Sequence, residues 1–156
     1  MCMIFVIISI LVPVLLIALL PRVLLRLGAN FVQRDWLLYV ACTLFFVSWY
    51  LPSPIIDGQN TQFMTHFVGG GLFSGGIWLF MKRAFQWKRV WWFEAASLYA
   101  LVSSLGVANE LFEWLIVQMG FIRFSLADTS WDLVANTLGA LCFWLVYQSA
   151  QMVKSR

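Results

Sequence analysis

Apolar residues occur in five long runs along the chain, and short polar stretches separate these runs. The runs cover 3–21, 36–52, 62–81, 90–118 and 131–152. A helix needs roughly 20 mostly apolar residues to cross the hydrocarbon core of a bilayer, and each run is close to that length or exceeds it. The pattern predicts an all-α, polytopic transmembrane bundle of about five helices, with residues 1–156 forming one membrane domain.

The stretches between the runs have the composition of loops. Residues 51–60 contain Pro, Gly and Asn, which favour turns. Residues 82–89 form a basic amphipathic connector, and residues 119–130 form the last predicted loop. The first run lacks the basic start and the small-residue cleavage site of a signal peptide. We therefore expect it to remain as a membrane anchor.

The composition excludes a water-soluble domain. Hydrophobic residues make up 62% of the chain and charged residues 11%, the mean hydropathy is +0.86, and soluble domains carry about 25% charged residues. The net charge of +3 does not indicate nucleic-acid binding, because the basic residues lie at helix ends and not along one face. Cys2, Cys42 and Cys142 are isolated in apolar runs, so neither a disulfide framework nor a zinc site is expected.

The placement of lysine and arginine predicts the orientation of the bundle. Cytoplasmic loops carry an excess of basic residues, and nine of the ten fall in three regions that five spans would place on one side. These nine are Arg22, Arg26, Arg34, Lys82, Arg83, Lys88, Arg89, Lys154 and Arg156. Arg123 alone falls on the other side. We therefore expect the N-terminus outside and the C-terminus in the cytoplasm.

The third run contains two groups of glycine, at 69–71 and at 75–76. Small residues four positions apart, such as Gly71 and Gly75, let helices approach closely in lipid. We expect these glycines to lie in a close helix–helix contact, and contact of their backbone with a substrate is the alternative. The contact could be internal or between copies, so a homo-oligomer or a partner membrane protein stays open.

Several polar residues interrupt the apolar runs at similar depth near the outer side. Ionisable groups inside membrane helices are costly and usually face the bundle interior or a water-filled cavity. Glu110 lies roughly 12 Å below residue 118 along its helix, so its charge needs compensation from a neighbouring side chain or a bound cation. The interrupting residues are His66, Glu110, Glu113, Asp132 and Asn136, with Arg123 on the adjoining loop and Asn109 as a further amide.

The spacing within each helix puts these groups on shared faces. Glu110 and Glu113 are separated by three positions, and Asp132 and Asn136 by four, so each pair lies on one side of its helix. Three helices therefore bring polar side chains toward one another. A metal is one explanation, with His66, Glu110, Glu113 and Asp132 as candidate ligands, although the residue types do not distinguish Mg²⁺, Mn²⁺, Fe and Zn²⁺.

Four interpretations of this convergence remain open. The first is a structural polar network that fixes the helices. The second is a head-group site for an envelope lipid, with Arg123 and a metal facing phosphate. The third is catalysis on a lipid-linked substrate, with His66, Glu113 and Asp132 as candidates. The fourth is ion transport, which needs polar groups in the inner half of the bundle, where we expect Glu94 to form an interfacial ion pair near Arg89.

The residues in this region carry a resemblance to a family. The segment 109–141, NELFEWLIVQMGFIRFSLADTSWDLVANTLGAL, resembles the C-terminal signature of the VanZ-like membrane proteins. That signature has a glutamate, a polar residue three positions later, an arginine, and then Asp-x-x-x-Asn-x-x-Gly. The matching positions are Glu110, Glu113, Arg123, Asp132, Asn136 and Gly139, with His66 matching a histidine in an earlier helix. The resemblance covers residues 62–145.

The chain departs from the family at Glu113, where typical VanZ proteins have glutamine. The segments ELFEW and WDLVAN more closely resemble the YjdF-type inner-membrane relatives. The extra carboxylate of Glu113 favours a bound cation. The resemblance implies a multi-pass protein of the bacterial cytoplasmic (inner) membrane that acts on lipids or lipid-linked cell-wall precursors at the outer leaflet.

Taken together, we predict a pocket that binds an anionic envelope lipid or lipid-linked precursor, with a divalent metal ion as a candidate cofactor. The enzyme alternative is a metal-dependent hydrolase or transferase in which His66 or Glu113 is the general base and Glu110 and Asp132 serve as metal ligands or electrostatic support. The third alternative is an envelope assembly protein without catalysis.

Overall fold

The protein is described from a computed structural model, which places residues 3–30, 36–56, 59–88, 90–120 and 126–154. The helices are α1 (Met3–Arg26), α2 (Trp36–Ser48), α3 (Phe63–Ala84), α4 (Trp91–Gln118) and α5 (Leu126–Lys154). A two-residue antiparallel ladder, β1 (Ile55–Ile56) with β2 (Gln59–Asn60), precedes α3. The predicted all-α architecture is confirmed. The short ladder was not predicted.

The lengths of the helices support a multi-pass membrane protein. Helices α1, α3, α4 and α5 each contain a segment long and apolar enough to cross a bilayer. Helix α2 has 13 residues, so it rises only about 20 Å, less than the roughly 30 Å of the hydrocarbon core. The helix ends at Ser48, four residues before the end of the predicted span 36–52. A turn follows Ser48. Pro52 has no N–H to donate to the Ser48 carbonyl, and it disfavours helical backbone at Leu51.

Two other boundaries also differ from prediction. Helix α1 continues past the predicted residue 21 and includes Pro13 and Pro21, which membrane helices tolerate. Helix α5 begins at Leu126, five residues before the predicted start of the last span. Residues 126–130, which were predicted as part of the loop 119–130, therefore belong to α5.

Helix α3 lies at the centre of the bundle. In its apolar segment 61% of the residues are buried, against 6% in α1, and it packs on α2, α4 and α5. Its glycines explain this position. A Cβ added to Gly71 would lie 2.5 Å from the Cα of Gly139 on α5, and a Cβ added to Gly76 would lie 2.9 Å from the Cβ of Ala41 on α2. The predicted close helix–helix contact is confirmed.

The part of α3 that carries the first glycines is a π-helical segment, Phe67–Leu72. The wider turn of such a segment often occurs at functional sites. The outer surfaces of α1, α4 and α5 instead expose many large apolar side chains, as expected for helices that face lipid. The chain therefore concentrates its polar groups around α3 and leaves the periphery apolar.

Candidate metal and ligand site

The structure brings together three side chains that can each offer a metal ligand. His66 on α3, Glu110 on α4 and Asp132 on α5 place one ligand atom each within 4.8 Å of the others. The Nε2 atom of His66 lies 3.2 Å from Oδ1 of Asp132. We call these three residues the triad. Each of its members comes from a different helix, so the triad exists only in the folded bundle.

The loop before α3 fixes the position of His66. The first N–H groups of a helix need partners outside the helix, and here side chains of the preceding residues accept them. The Met64 N–H donates to Oγ of Ser53 at 3.0 Å, and the Gln62 N–H donates to Oδ1 of Asn60 at 3.0 Å. These bonds set where α3 begins and therefore set the height of His66, one turn later.

The close contact between α3 and α5 brings Asp132 to His66. A Cβ added to Gly70 would overlap the side chain of Asn136, which lies one turn after Asp132. A larger residue at Gly70 or Gly71 would therefore separate the two helices. The absence of side chains at these glycines is what allows the 3.2 Å contact between His66 and Asp132.

The triad holds two carboxylates in a place with little access to water. Asp132 is 1% exposed and His66 is 8% exposed, and Glu110 is partly buried. Two negative charges within 4.8 Å repel each other by roughly 3 kcal/mol or more at an effective dielectric constant of about 20. A divalent cation would cancel both charges. One imidazole and two carboxylates are ligands that Zn²⁺ accepts in three-ligand sites, which leave positions for other ligands.

A cavity of about 460 Å³ lies beside the triad. His66 and Asn136 line it, and so do Asn109 and Glu113 from α4. The Asn109 Nδ2 atom donates to Oε1 of Glu113 at 2.7 Å, which fixes that carboxylate in the cavity wall. Apolar side chains of α1 line the cavity as well: Ile8, Leu11, Val12 and Leu15. The cavity therefore has a polar part and an apolar part.

Asn136 carries a polar atom with no partner among the described residues. Its side chain is 4% exposed, and its Oδ1 atom accepts no hydrogen bond. An unsatisfied buried acceptor costs about 1–3 kcal/mol. Because Asn136 lines the cavity, a ligand in the cavity is a candidate donor or cation for this oxygen.

The predicted site residues thus fall into three groups. His66, Glu110 and Asp132 form the triad, and Asn136 lies beside it in the cavity wall. Glu113 lines the cavity but is not part of the triad, so its proposed role as a metal ligand is not supported. Arg123 lies outside the residues that the structure describes. The roles of all these residues in function stay predictions.

A second polar cluster at the other end of the bundle was not predicted. Glu94 on α4 is 1% exposed and forms an ion pair with Lys82 on α3. Gln148 Nε2 donates to Oε2 of Glu94 at 2.8 Å, and Lys82 Nζ donates to the Tyr147 hydroxyl at 2.5 Å. The predicted ion pair of Glu94 is thus present with Lys82 as its partner, Tyr147 and Gln148 help to enclose the carboxylate, and its interfacial position stays a prediction. Arg89, its expected neighbour, lies outside the described residues.

The sequence contains a signal for this cluster. Trp78 Nε1 donates to Ser97 Oγ at 2.9 Å, and Lys82 pairs with Glu94. Both contacts join residues at nearly equal distances from the connector between α3 and α4, as an antiparallel helix pair requires. A search for complementary charges across that connector would have found the pair.

Comparisons of the chain with models of protein families, with curated proteins and with solved structures find no match.

Proposed function

We propose that the protein binds an anionic envelope lipid, or a lipid-linked cell-wall precursor, in the cavity beside the triad, through a divalent cation held by His66, Glu110 and Asp132. The observation that carries this proposal is the position of the triad, a largely buried group of three potential metal ligands next to a cavity of about 460 Å³. In the predicted orientation this cavity lies toward the outer leaflet of a bacterial cytoplasmic membrane.

The charges of the site support a cation-mediated contact. Two carboxylates in the triad would repel a phosphate, and a divalent cation would cancel their charge and offer open coordination positions to phosphate oxygens. His66 is common to the triad and the cavity wall. A phosphate in the cavity would therefore approach the cation from the side of His66.

The lining of the cavity supports a ligand that is polar at one end and apolar at the other. Glu113 can accept hydrogen bonds from hydroxyl or amide groups of a head group, and Asn109 holds its carboxylate in place. The side chains of Leu11 and Leu15 on α1 offer apolar surface to a hydrocarbon chain. Lipids and lipid-linked precursors have this division, whereas small soluble anions do not.

The metal is tested by elemental analysis of the purified protein in detergent. We expect a stoichiometric divalent ion in the wild-type protein, a lower thermal midpoint after treatment with EDTA, and recovery when the same ion is added back. A protein that contains no ion and gains no stability from Mg²⁺, Mn²⁺, Fe²⁺ or Zn²⁺ would contradict the proposal and favour a structural polar network.

Glu110 and Glu113 provide a matched pair of variants, because they are three residues apart on the same helix and only Glu110 belongs to the triad. We expect Glu110→Gln to lose the ion and Glu113→Gln to keep it. The ligand is identified by mass spectrometry of lipids that remain bound to the wild-type protein. We expect Glu113→Gln to lower the amount of this lipid while the metal content stays constant. Equal loss of metal in both variants would contradict the assignment of the triad.

A second candidate function is metal-dependent hydrolysis or group transfer on the same lipid. The observation that favours it is Glu113, a carboxylate in the cavity wall one turn from a triad member. A carboxylate near a metal-bound water can act as a general base. An enzyme would convert the bound lipid, and Glu113→Gln would abolish turnover without releasing the lipid. A binding protein returns the lipid unchanged.

A further inference from the structure

A second cavity lies at the opposite end of the bundle from the triad. Its volume is about 580 Å³, and residues from the C-terminal parts of α3 and α5 line it. Lys82, one of these residues, follows His66 by 16 positions on α3, which corresponds to about 24 Å along a helix. In the predicted orientation this cavity lies on the cytoplasmic side of the membrane.

The charge of this cavity is positive. Lys82, Arg83 and Lys154 line it, and none of the lining residues that the structure describes is acidic. Glu94 lies behind the lining and pairs with Lys82, so Arg83 and Lys154 account for the net positive charge. An excess of basic residues on the cytoplasmic side accounts for the presence of such cations in general. This general excess does not explain why cations from α3 and α5 lie around the same cavity.

Lys82 is held in a fixed position at the wall of this cavity. Its ammonium group has three N–H donors, and two of them are directed to Glu94 and to the Tyr147 hydroxyl. The ring centroids of Trp78 and Tyr147 lie 5.5 and 5.0 Å from its Nζ atom. The side chain is therefore ordered before any ligand arrives.

Part of the cavity lining is apolar and reaches the periphery of the bundle. Leu79, Phe143 and Val146 line it, and Val146 is 65% exposed on a helix that we place in the membrane. A ligand in this cavity would therefore contact both the cations and the hydrocarbon region. A free inorganic anion would use only the cations.

We propose that this cavity binds an anionic phospholipid of the leaflet on this side, with its head-group phosphate at Lys82, Arg83 and Lys154 and an acyl chain along Leu79, Phe143 and Val146. Basic pockets between membrane helices on the cytoplasmic side bind such head groups. The site is separate from the triad and needs no metal.

The test compares lipid retention in nanodiscs by native mass spectrometry. Wild-type protein is reconstituted in phosphatidylcholine alone and in phosphatidylcholine with phosphatidylglycerol. We expect selective retention of phosphatidylglycerol. Lys154→Gln should weaken it about fivefold, the upper end for the loss of one exposed ion pair. Lys154 is exposed in the last turn of α5, so its replacement should leave the fold intact. Lys88→Gln is the matched control, since Lys88 does not line the cavity, and it should retain the lipid.

Two results would overturn the phospholipid proposal. One is equal retention of phosphatidylglycerol by the wild-type and Lys154→Gln proteins. The other is equal displacement of the lipid and equal stabilisation of the protein by millimolar inorganic phosphate, which would indicate a soluble anion as the ligand. EDTA treatment and the Glu110→Gln variant distinguish this site from the metal site of the proposed function. They should remove the ion at the triad and leave unchanged the difference in phosphatidylglycerol retention between the wild-type and Lys154→Gln proteins.

Discussion

Replacement of Gly71 by alanine tests whether the contact between α3 and α5 holds the triad together. The added Cβ would lie 2.5 Å from the Cα of Gly139 and 2.7 Å from the backbone N of Ala140. Carbon atoms in favourable contact are about 3.5–4.0 Å apart. These neighbours are backbone atoms and cannot rotate away, so the two helices must separate by about 1 Å.

This separation has two expected consequences. Overpacking of this kind costs about 1–3 kcal/mol in the free energy of unfolding. The His66–Asp132 contact of 3.2 Å would also lengthen to about 4 Å, beyond hydrogen-bond distance. We therefore expect Gly71→Ala to lower stability and to weaken metal binding more than tenfold.

The measurements are thermal unfolding in detergent, followed by tryptophan fluorescence, and titration with the metal ion found in the wild-type protein. Gly76→Ala is the control, because its added Cβ would meet Ala41 on α2 and not α5. We expect it to lower stability while metal affinity stays near that of the wild type. Wild-type stability and metal affinity in Gly71→Ala would refute the reasoning. Equal loss of affinity in both variants would show that the effect is a general loss of structure.

Three further predictions follow from other parts of the molecule. Glu94→Leu leaves the partly buried Lys82 ammonium without its carboxylate and should cost about 3 kcal/mol, the lower end for breaking a buried pair, in detergent unfolding. Lys82→Met combined with Glu94→Leu should recover most of that loss, and a double variant no more stable than the single one would contradict this. Asn136→Leu keeps the shape of the side chain and removes the unpaired oxygen, so thermal stability without ligand should stay equal or rise while lipid retention falls; a large loss of stability would show that this oxygen has a structural partner. A fluorescent protein fused after Arg156 should fluoresce and an alkaline phosphatase fused there should be inactive, and the reverse result would overturn the predicted orientation.

The helices and most of their boundaries could be predicted because spanning length and apolar composition determine them. The end of α2 could not be predicted from hydropathy, because the apolar run continues through 49–51 while the prolines that follow end the helix earlier. The early start of α5 was missed for the opposite reason. Residues 126–130 include polar side chains, and hydropathy underestimates a helix whose first turns are polar.

The position of His66, Glu110 and Asp132 at one depth follows from counting residues along helices of known direction. The separation of Glu113 from the triad does not follow, because residues three apart differ by about 60° around a helix axis. That difference places Glu110 next to α5 and Glu113 in the cavity wall. The environment of Glu94 depended on which side chains from α3 and α5 meet it, and spacing within α4 contains no information on those neighbours.

Helix α1 has a consequence for how a ligand would reach the first cavity. It buries little of its own surface and packs mainly on α2, yet four of its apolar side chains form part of the cavity wall. A hydrocarbon chain could therefore enter sideways from the bilayer past α1, without crossing water. Lipids surrounding the protein are present at high local concentration, so a modest intrinsic affinity would keep the cavity filled. Occupancy would then follow the lipid composition of the leaflet, and bulk solution would have little influence on it.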